Sequence, residues 1–576
     1  MPLNKTFSSS IFSTKNSLST DMSVNRDNRT ITSSIMRVSN SSMRVSNSSE
    51  LIQFKNKTAP YFSEKRNVEV NINGVAKDIY GRQIVCRHLA SYWEMNFMET
   101  NGKVNYQLLS TPDAIAKNVC LEKTEDFSKS PAYIYFVENK KWGTVITNFF
   151  YNMKKNGDFV RTLSACTLNH QMALGLKIKR VQESEKWVVQ FFDPNRTVTH
   201  KRTVFTCDSH FELSQLSAKD FFDDFYWKIY GLEQPGQVIF EDRHNSPLTN
   251  TVKLLPDELI NSRVIYHAIT KNLTEVLFIL MEKYKNGEIS QSKLVNLLAT
   301  RSSDGTPAFY IALQNGYSDI IQVYGKILNM CNLSQETILT LLAAVGANNV
   351  PGLCMSFMNG HVDTIKAYGE IVFKTPLTSD KRLYLLAAKD SHDLPGLFFA
   401  LQNGHADSIR MFGSLLNKKM LSSEQIKELL KVKHGLFMAL QNGHTKAIMA
   451  YGDILKILPP HQEYIDELLW IKNPNGTSGL FMAFYNGHTE TIRAFCNILK
   501  NYSFTTRRLV EMLSATNKDG IPGVFVSVVN RDKETILEYC RIIKENNLEP
   551  DTIAEQFSKK MKKTFIEIIN RFNHFL

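Results

Sequence analysis

The chain has 576 residues, so several domains are expected, roughly four at about 150 residues each. Hydrophobic residues make up 43%, enough for sizeable cores, but the longest apolar runs, such as residues 276–281, fall far short of the roughly 20 residues of a membrane helix, so no span is expected and the chain reads as soluble. The net charge of +12 and pI near 9.1 permit acidic partners; the lysines are spread, with no polybasic block and no aromatic-basic motif, and nucleic acid is not expected as a partner.

Residues 1–60 are rich in Ser and Asn, and residues 36–42 repeat immediately as 43–49. Such a segment cannot bury enough apolar surface to offset its ordering entropy and is expected to be disordered. It lacks the apolar core and cleavage site of a secretory signal peptide. Two readings stay open: a floppy tail, and an uncleaved export signal of the type III secretion kind.

Residues 61–245 alternate strand-like and helix-like runs. The turn around Gly81 leads into a helix, because Leu89, Tyr92, Trp93 and Phe97 recur at helical spacing. Cys86 then lies at a helix N-terminus, where free N–H groups and the helix dipole favour thiolate over thiol. Its plain alternative is a small buried hydrophobe. Residues 133–137 and 143–147 read as strands or buried segments. Residues 168–181 and 187–195, joined by a polar turn over 182–186, read as a β-hairpin. His170 shares a face with Leu174, Leu176 and Ile178, and Asp193 with Phe191, Val189 and Trp187. The two side chains meet on one face if the loop holds an even number of residues. Each also has a structural reading, His170 as a half-buried strand residue and Asp193, followed by Pro194, as a turn starter. Residues 219–227 read as the last helix of this region, and a linker, residues 246–257, follows.

From residue 258 to 576 the chain is periodic. Asn-Gly recurs at Asn315, Asn359, Asn403, Asn442 and Asn486, with degenerate copies at Asn272 and Asn530, in steps of 43, 44, 44, 39, 44 and 44 residues. Such a period predicts an all-α solenoid. Each unit is expected to hold one helix ending at Asn-Gly, with Gly as left-handed C-cap, then a second helix burying residues such as Ile409 and Phe412, then a third element such as residues 421–430 with Ser in capping position. The helix–Asn-Gly-His–helix core resembles the ankyrin repeat, with a period about eleven longer than the ankyrin 33 and a helix where the ankyrin hairpin would stand. The recurrent His361, His405, His444 and His488 read as turn residues rather than metal ligands.

Eight cysteines occur with no C-x-x-C pair, which suits neither a disulfide scaffold nor a zinc ribbon and fits a reducing compartment. His200, Cys207 and His210 lie close in sequence but lack an evident fourth ligand. There is no Gly-rich phosphate loop, which leaves an NAD-consuming transferase without support, and no cofactor or metal is expected. A cysteine nucleophile needs a base and a group to orient it. Cys86, His170 and Asp193 supply these in the order and secondary-structure setting of papain-like proteases: Cys on a helix, His on a strand, Asp on the next. The backbone N–H of Cys86 is the natural oxyanion donor, and Gln83 is a weaker candidate partner.

Cys86 in Gly-Arg-Gln-Ile-Val-Cys-Arg-His-Leu, His170 in Asn-His-Gln-Met-Ala and Asp193 in Phe-Phe-Asp-Pro-Asn resemble the triad segments of the EspL/OspD enterotoxin-type effectors of enteric bacteria, and the resemblance extends through the Asn-Gly-His repeats. It implies a type III-secreted cysteine protease that acts in the host cytosol, with an α+β papain-like domain followed by an ankyrin-like solenoid. Host signalling proteins are the implied substrates, RHIM-containing proteins of necroptosis and inflammation among them, and a bacterial secretion chaperone is expected to hold the N-terminus. Carried over, Cys86 is the nucleophile, His170 the base and Asp193 its orienter. The competing expectation is a non-catalytic effector whose solenoid sequesters a host protein.

Overall fold

A computed structural model describes residues 63–64, 70–130, 132–181, 184–206, 210–233, 238–244, 257–416, 420–432, 434–459, 462–469 and 472–574. The expected secretion segment (1–60), residues 246–256 of the expected linker, and Cys207 lie outside them. The chain forms two compact units, residues 1–267 with 302–304, and residues 268–301 with 305–576.

The first unit runs β1 (Ser63–Glu64), α1 (Cys86–Glu99), α2 (Pro112–Asn118), α3 (Leu121–Lys129), β2 (Tyr133–Phe136), α4 (Trp142–Asn156), β3 (Val160–Cys166), β4 (Gln171–Val181), β5 (Ser184–Phe192), β6 (Lys201–Thr206), α5 (His210–Ser214), α6 (Asp224–Ile229) and β7 (Ile239–Asp242). The strands make one antiparallel sheet in the order β1-β6-β5-β4-β3-β7-β2. Strand β4 is apolar on both faces because both are covered. Ala173 packs with Leu89, Trp93 and Phe97 of α1. Leu174, Leu176 and Ile178 pack with Trp142, Ile146, Phe149, Phe150 and Met153 of α4. Helix α1 lies so close to β4 that a Cβ at Gly175 would come within 2.4 Å of the Phe97 ring.

Three elements differ from the sequence expectation. Residues 143–147 begin helix α4 rather than a strand. They are β-branched at four of five positions, but Trp142, Ile146, Phe149 and Met153 recur at helical spacing and their burial overrides local preference. Residues 219–227 do not form one helix: Asp223 accepts the Tyr226 N–H at 2.9 Å and caps a new start at Asp224. Strand β7, unanticipated, inserts between β3 and β2, with Ala165 and Tyr135 both opposite Phe240. Its Glu241 and Asp242 are both buried, Glu241 against Arg243 and Asp242 against Arg161.

The second unit is helical and repetitive. One repeat comprises the helices Gly396–Asn403, Ala406–Leu415 and Ser423–Leu430. Each contacts its counterpart in the neighbouring repeats, so three columns of helices run along the unit. Gly404 has φ +78°, Ile409 and Phe412 are buried, and the Ser422 hydroxyl accepts the Gln425 N–H at 3.1 Å, as the pattern predicts. Sequence places a helix where the ankyrin hairpin stands; the repeat holds that helix and also a bridged turn, Lys389↔Pro395, with counterparts at Arg301↔Pro307, Val345↔Pro351, Lys472↔Ser478 and Thr516↔Pro522. The 39-residue step loses this turn: residues 431–434 join the helices that nine residues, 387–395, join one repeat earlier.

The Asn-Gly-His signature is a staple between repeats. The Asn403 amide and the His405 Nε2–H both donate to the Met358 carbonyl of the preceding repeat, at 2.9 and 3.0 Å. Asn359 and His361 share the Gln314 carbonyl in the same way, and Asn486 and His488 that of Gln441. The glycine is doubly constrained, because a Cβ on Gly404 would also sit 2.7 Å from His444 Nδ1. Gly404→Ala is therefore expected to lower unfolding stability by about 2 kcal/mol or more, combining the left-handed backbone penalty with overpacking. A urea midpoint for the helical transition equal to wild type would count against this.

Among the staple histidines, burial holds His361 and His444 below the ordinary imidazole range. Both are thus neutral in the fold, while in the unfolded chain they take up protons near pH ~6.5. Unfolding then binds protons below that pH, so stability is full above it and falls as acid is added. Melting of the helical unit is expected at lower temperature at acid than at neutral pH, and an unchanged or higher melting temperature would refute the assignment. Among the described residues, no helix is long and apolar enough to cross a membrane.

Candidate active site

A short β-hairpin aims the first residue of α1. Gly74 N–H donates to the Ile84 carbonyl and Ile84 N–H to that of Ala76, at 3.1 and 2.9 Å. The hairpin tip turns through Gly81 at φ +79°. The Gln83 amide donates to the Gly74 carbonyl and is spent on the base of this hairpin, so it is no oxyanion donor. Extended Val85 precedes the helix, and Cys86 opens it. The N–H groups of Cys86 and Arg87 lie in the first turn, which has no carbonyl above it.

His88, two residues on, does not serve the thiol. Its Nδ1 accepts the Val85 N–H at 3.1 Å while its own N–H donates to the Val85 carbonyl at 2.9 Å, a reciprocal cap. Burial, then the charges of Arg87 and Arg82, push it down to about 3, so it stays neutral.

The hairpin of β4 and β5 brings the other two residues. Val181 pairs with Ser184, so an even number of residues separates the strands, and β5 begins three residues earlier than the sequence suggests. The last pair is Ala173↔Phe192, and His170 and Asp193 lie just beyond it. His170 precedes β4 in a turn closed by Thr167 N–H to the His170 carbonyl at 2.8 Å. Asp193 both caps the turn that follows, its Oδ1 accepting the Asn195 N–H at 2.9 Å, and binds His170 Nε2 at 2.8 Å. Its turn-starting and imidazole-binding readings hold together.

With Nε2 on Asp193, His170 has Nδ1 left, and both the imidazole and the Gln171 N–H act to stabilise a thiolate at Cys86. The Gln171 amide in turn reaches Ser164 Oγ at 3.4 Å, and that hydroxyl donates to Glu94 of α1. All three groups are nearly dry, with Cys86 8%, His170 7% and Asp193 6% exposed. Burial alone opposes every charge here, but the charges answer one another. Burial raises the Cys86 thiol, yet His170, the Gln171 N–H and Arg87 bring it below the usual thiol range. Burial lowers His170, yet Asp193 and the thiolate push it up to about 10. Asp193 is held below the usual carboxylate range, burial being outweighed by His170, the Asn195 N–H and Tyr230. The arrangement therefore favours a thiolate–imidazolium pair, a nucleophile with its proton already on the base.

Tyr230, which the sequence reading did not single out, completes the cluster. Its hydroxyl donates to Asp193 Oδ2 at 2.8 Å and its ring stacks on His170 at 4.7 Å between centroids. No spacing signal in the sequence points to it. His200 lies against the Tyr106 ring and hydroxyl, and among the described residues no three His, Cys, Asp or Glu side chains gather as a metal site.

A family model described as the ShET2 enterotoxin N-terminal region matches residues 12–302, half of the chain, and the chain belongs to this family. Among curated proteins it is similar to the effector protease OspD3 of Shigella flexneri, 40% identical over 273 residues, which are 47% of this chain and 48% of that protein. The chain thus spans about half the length of the curated relative it matches.

Proposed function

We propose that this chain is a type III-secreted effector cysteine protease acting in the host cytosol. Residues 61–245 would be a papain-like domain, 258–576 an ankyrin-like solenoid that docks substrate, and 1–60 the secretion segment, held by a bacterial chaperone. The observation that carries the proposal is the buried cluster of Cys86, first residue of a helix, with His170, whose Nε2 binds Asp193 at 2.8 Å and whose imidazole stabilises the Cys86 thiolate. The match to the ShET2 enterotoxin family and the similarity to a protein named an effector protease support it.

The mechanism is acyl transfer. The Cys86 thiolate attacks a peptide carbonyl carbon, and the oxyanion takes up the free N–H of Cys86 in the first helical turn. His170 Nδ1–H protonates the leaving amine as the C–N bond breaks, leaving a thioester on Cys86. His170, now neutral, takes a proton from water, whose oxygen attacks the thioester and releases the acid. Asp193 holds the Nε2–H throughout and keeps the ring aimed.

Host signalling proteins, including RHIM-containing ones, are the substrates to examine first. Full-length protein and its Cys86→Ala variant, each mixed with host-cell lysate, test this by mass spectrometry of new peptide N-termini. Termini that appear only with wild type are expected; identical sets from both would overturn the proposal.

A further inference from the structure

Asp193 accepts three hydrogen bonds: His170 Nε2–H and the Asn195 N–H on Oδ1, and the Tyr230 hydroxyl on Oδ2. The direction of the last is fixed by its surroundings. The Asn195 side-chain Nδ2, a donor only, points at the Tyr230 oxygen at 2.7 Å, so that oxygen must accept there and spend its one proton on Asp193. The Asn195 Oδ1 accepts from the Asn73 amide at 2.8 Å, and Asp193, as a carboxylate, can only accept from the phenol. The Tyr230 ring meanwhile lies 11° from parallel to the imidazole, an aromatic face presented to a ring that carries positive charge in the ion pair.

We propose that Tyr230 is a positioning residue for the thiolate–imidazolium pair: its hydroxyl holds Asp193 ionised and aimed at His170, and its ring steadies the imidazolium. This deepens the reading of Cys86 as nucleophile and rests on it. Both contributions act in the same sense, because a better anion at Asp193 and an aromatic face on His170 each favour the proton on imidazole rather than on sulfur. Tyr230 is well placed for the task. It is 4% exposed, follows α6 directly, and is buttressed by Tyr226 at 5.5 Å and Phe222 at 5.9 Å between ring centroids. The charged groups around this core are Asp193 and Cys86 on either side of His170, Arg87 beside the thiol, and the Arg196–Asp223 pair behind Tyr226. Burial and the Asp193 carboxylate keep the phenol protonated, so it remains a donor.

The test is a pH titration of the Cys86 thiolate by its ultraviolet absorbance in the full-length chain. The signal is each protein minus its own Cys86→Ala counterpart, so the other seven cysteines cancel. Wild type is expected to titrate well below a free thiol. Tyr230→Phe, which keeps the stack and loses only the hydroxyl, should raise the midpoint by about one unit, which is about tenfold less thiolate at a given low pH. Tyr230→Leu should raise it at least as far, and Tyr230→Phe, close in shape to tyrosine, keeps the test informative if the Leu variant does not fold. A low wild-type midpoint left unmoved by Tyr230→Phe would overturn the role of Tyr230 alone. An ordinary wild-type midpoint would overturn the nucleophile reading beneath it.

Discussion

Cys86→Ala and His170→Ala are each expected to reduce peptide cleavage by about a thousandfold or more, and the double variant to be no worse than either alone. Non-additivity follows from the geometry. The thiol without the imidazole loses the partner that takes its proton, and the imidazole without the thiol has nothing to activate, so removing either removes the unit. Asp193→Ala should cost less, because His170 would keep its turn and its stack on Tyr230 while losing the carboxylate that aims Nε2. The pH profile carries the sign of the ion pair. The competent state needs thiolate and imidazolium together, so activity should rise as the lowered Cys86 thiol ionises, well below the ~8.5 of a free thiol, and fall only as His170 loses its proton near pH 10. Peptides spanning the cleavage sites found in lysate provide the assay. Full cleavage by both single variants, or a profile rising only above pH ~8.5, would remove the basis for this site.

Asp242→Ala should be the most damaging change away from the site, lowering the stability of the first unit by about 3–5 kcal/mol. Arg161 and Asp242 are both fully buried, and Asp242 receives Arg161 Nη2 and, at 3.3 Å, Nε. Removing the carboxylate takes away the buried anion that Arg161 faces, while its contacts to Asn152 Oδ1, at 2.7 Å, and to the Phe149 ring carry no compensating charge. The pair also joins β3 to β7, the strand that links β3 to β2, so its loss should loosen that side of the sheet. Replacing both partners, Arg161→Met with Asp242→Leu, should recover most of the loss, because no charge is then stranded. Four of the five tryptophans, Trp93, Trp142, Trp187 and Trp227, lie in the first unit, so fluorescence against denaturant reports the change. A single-variant loss below about 1 kcal/mol would mean that water or another group reaches Arg161.

What was legible in the sequence was local or periodic. The helix beginning at Cys86 follows from Leu89, Trp93 and Phe97, and their burial against Ala173 and Phe192 is what that spacing demands. The repeats were legible because each staple residue contacts the equivalent backbone carbonyl one period away, so the same residue types recur at the same spacing: Asn403 on Met358, Asn442 on Gln402, Asn486 on Gln441. The bridged turn was not, since it carries no hydrophobic period, only a step that shortens from 44 to 39 when it is lost.

For the site, alternation along the strands put His170 and Asp193 on one face if the turn held an even number of residues. That number is set by backbone pairing across the hairpin, where Val181 meets Ser184, a quantity that composition does not carry. By itself, then, the sequence determined the helix that opens at Cys86 and the periodic stacking of the helical repeats, because each depends on neighbours at fixed spacing. The tertiary structure decided the rest. It assigned His88 to the helix cap, set His170 against Asp193, drew β7 into the sheet, and laid Tyr230 over a histidine 60 residues away in the chain, because burial and hydrogen bonding between distant segments have no period to read.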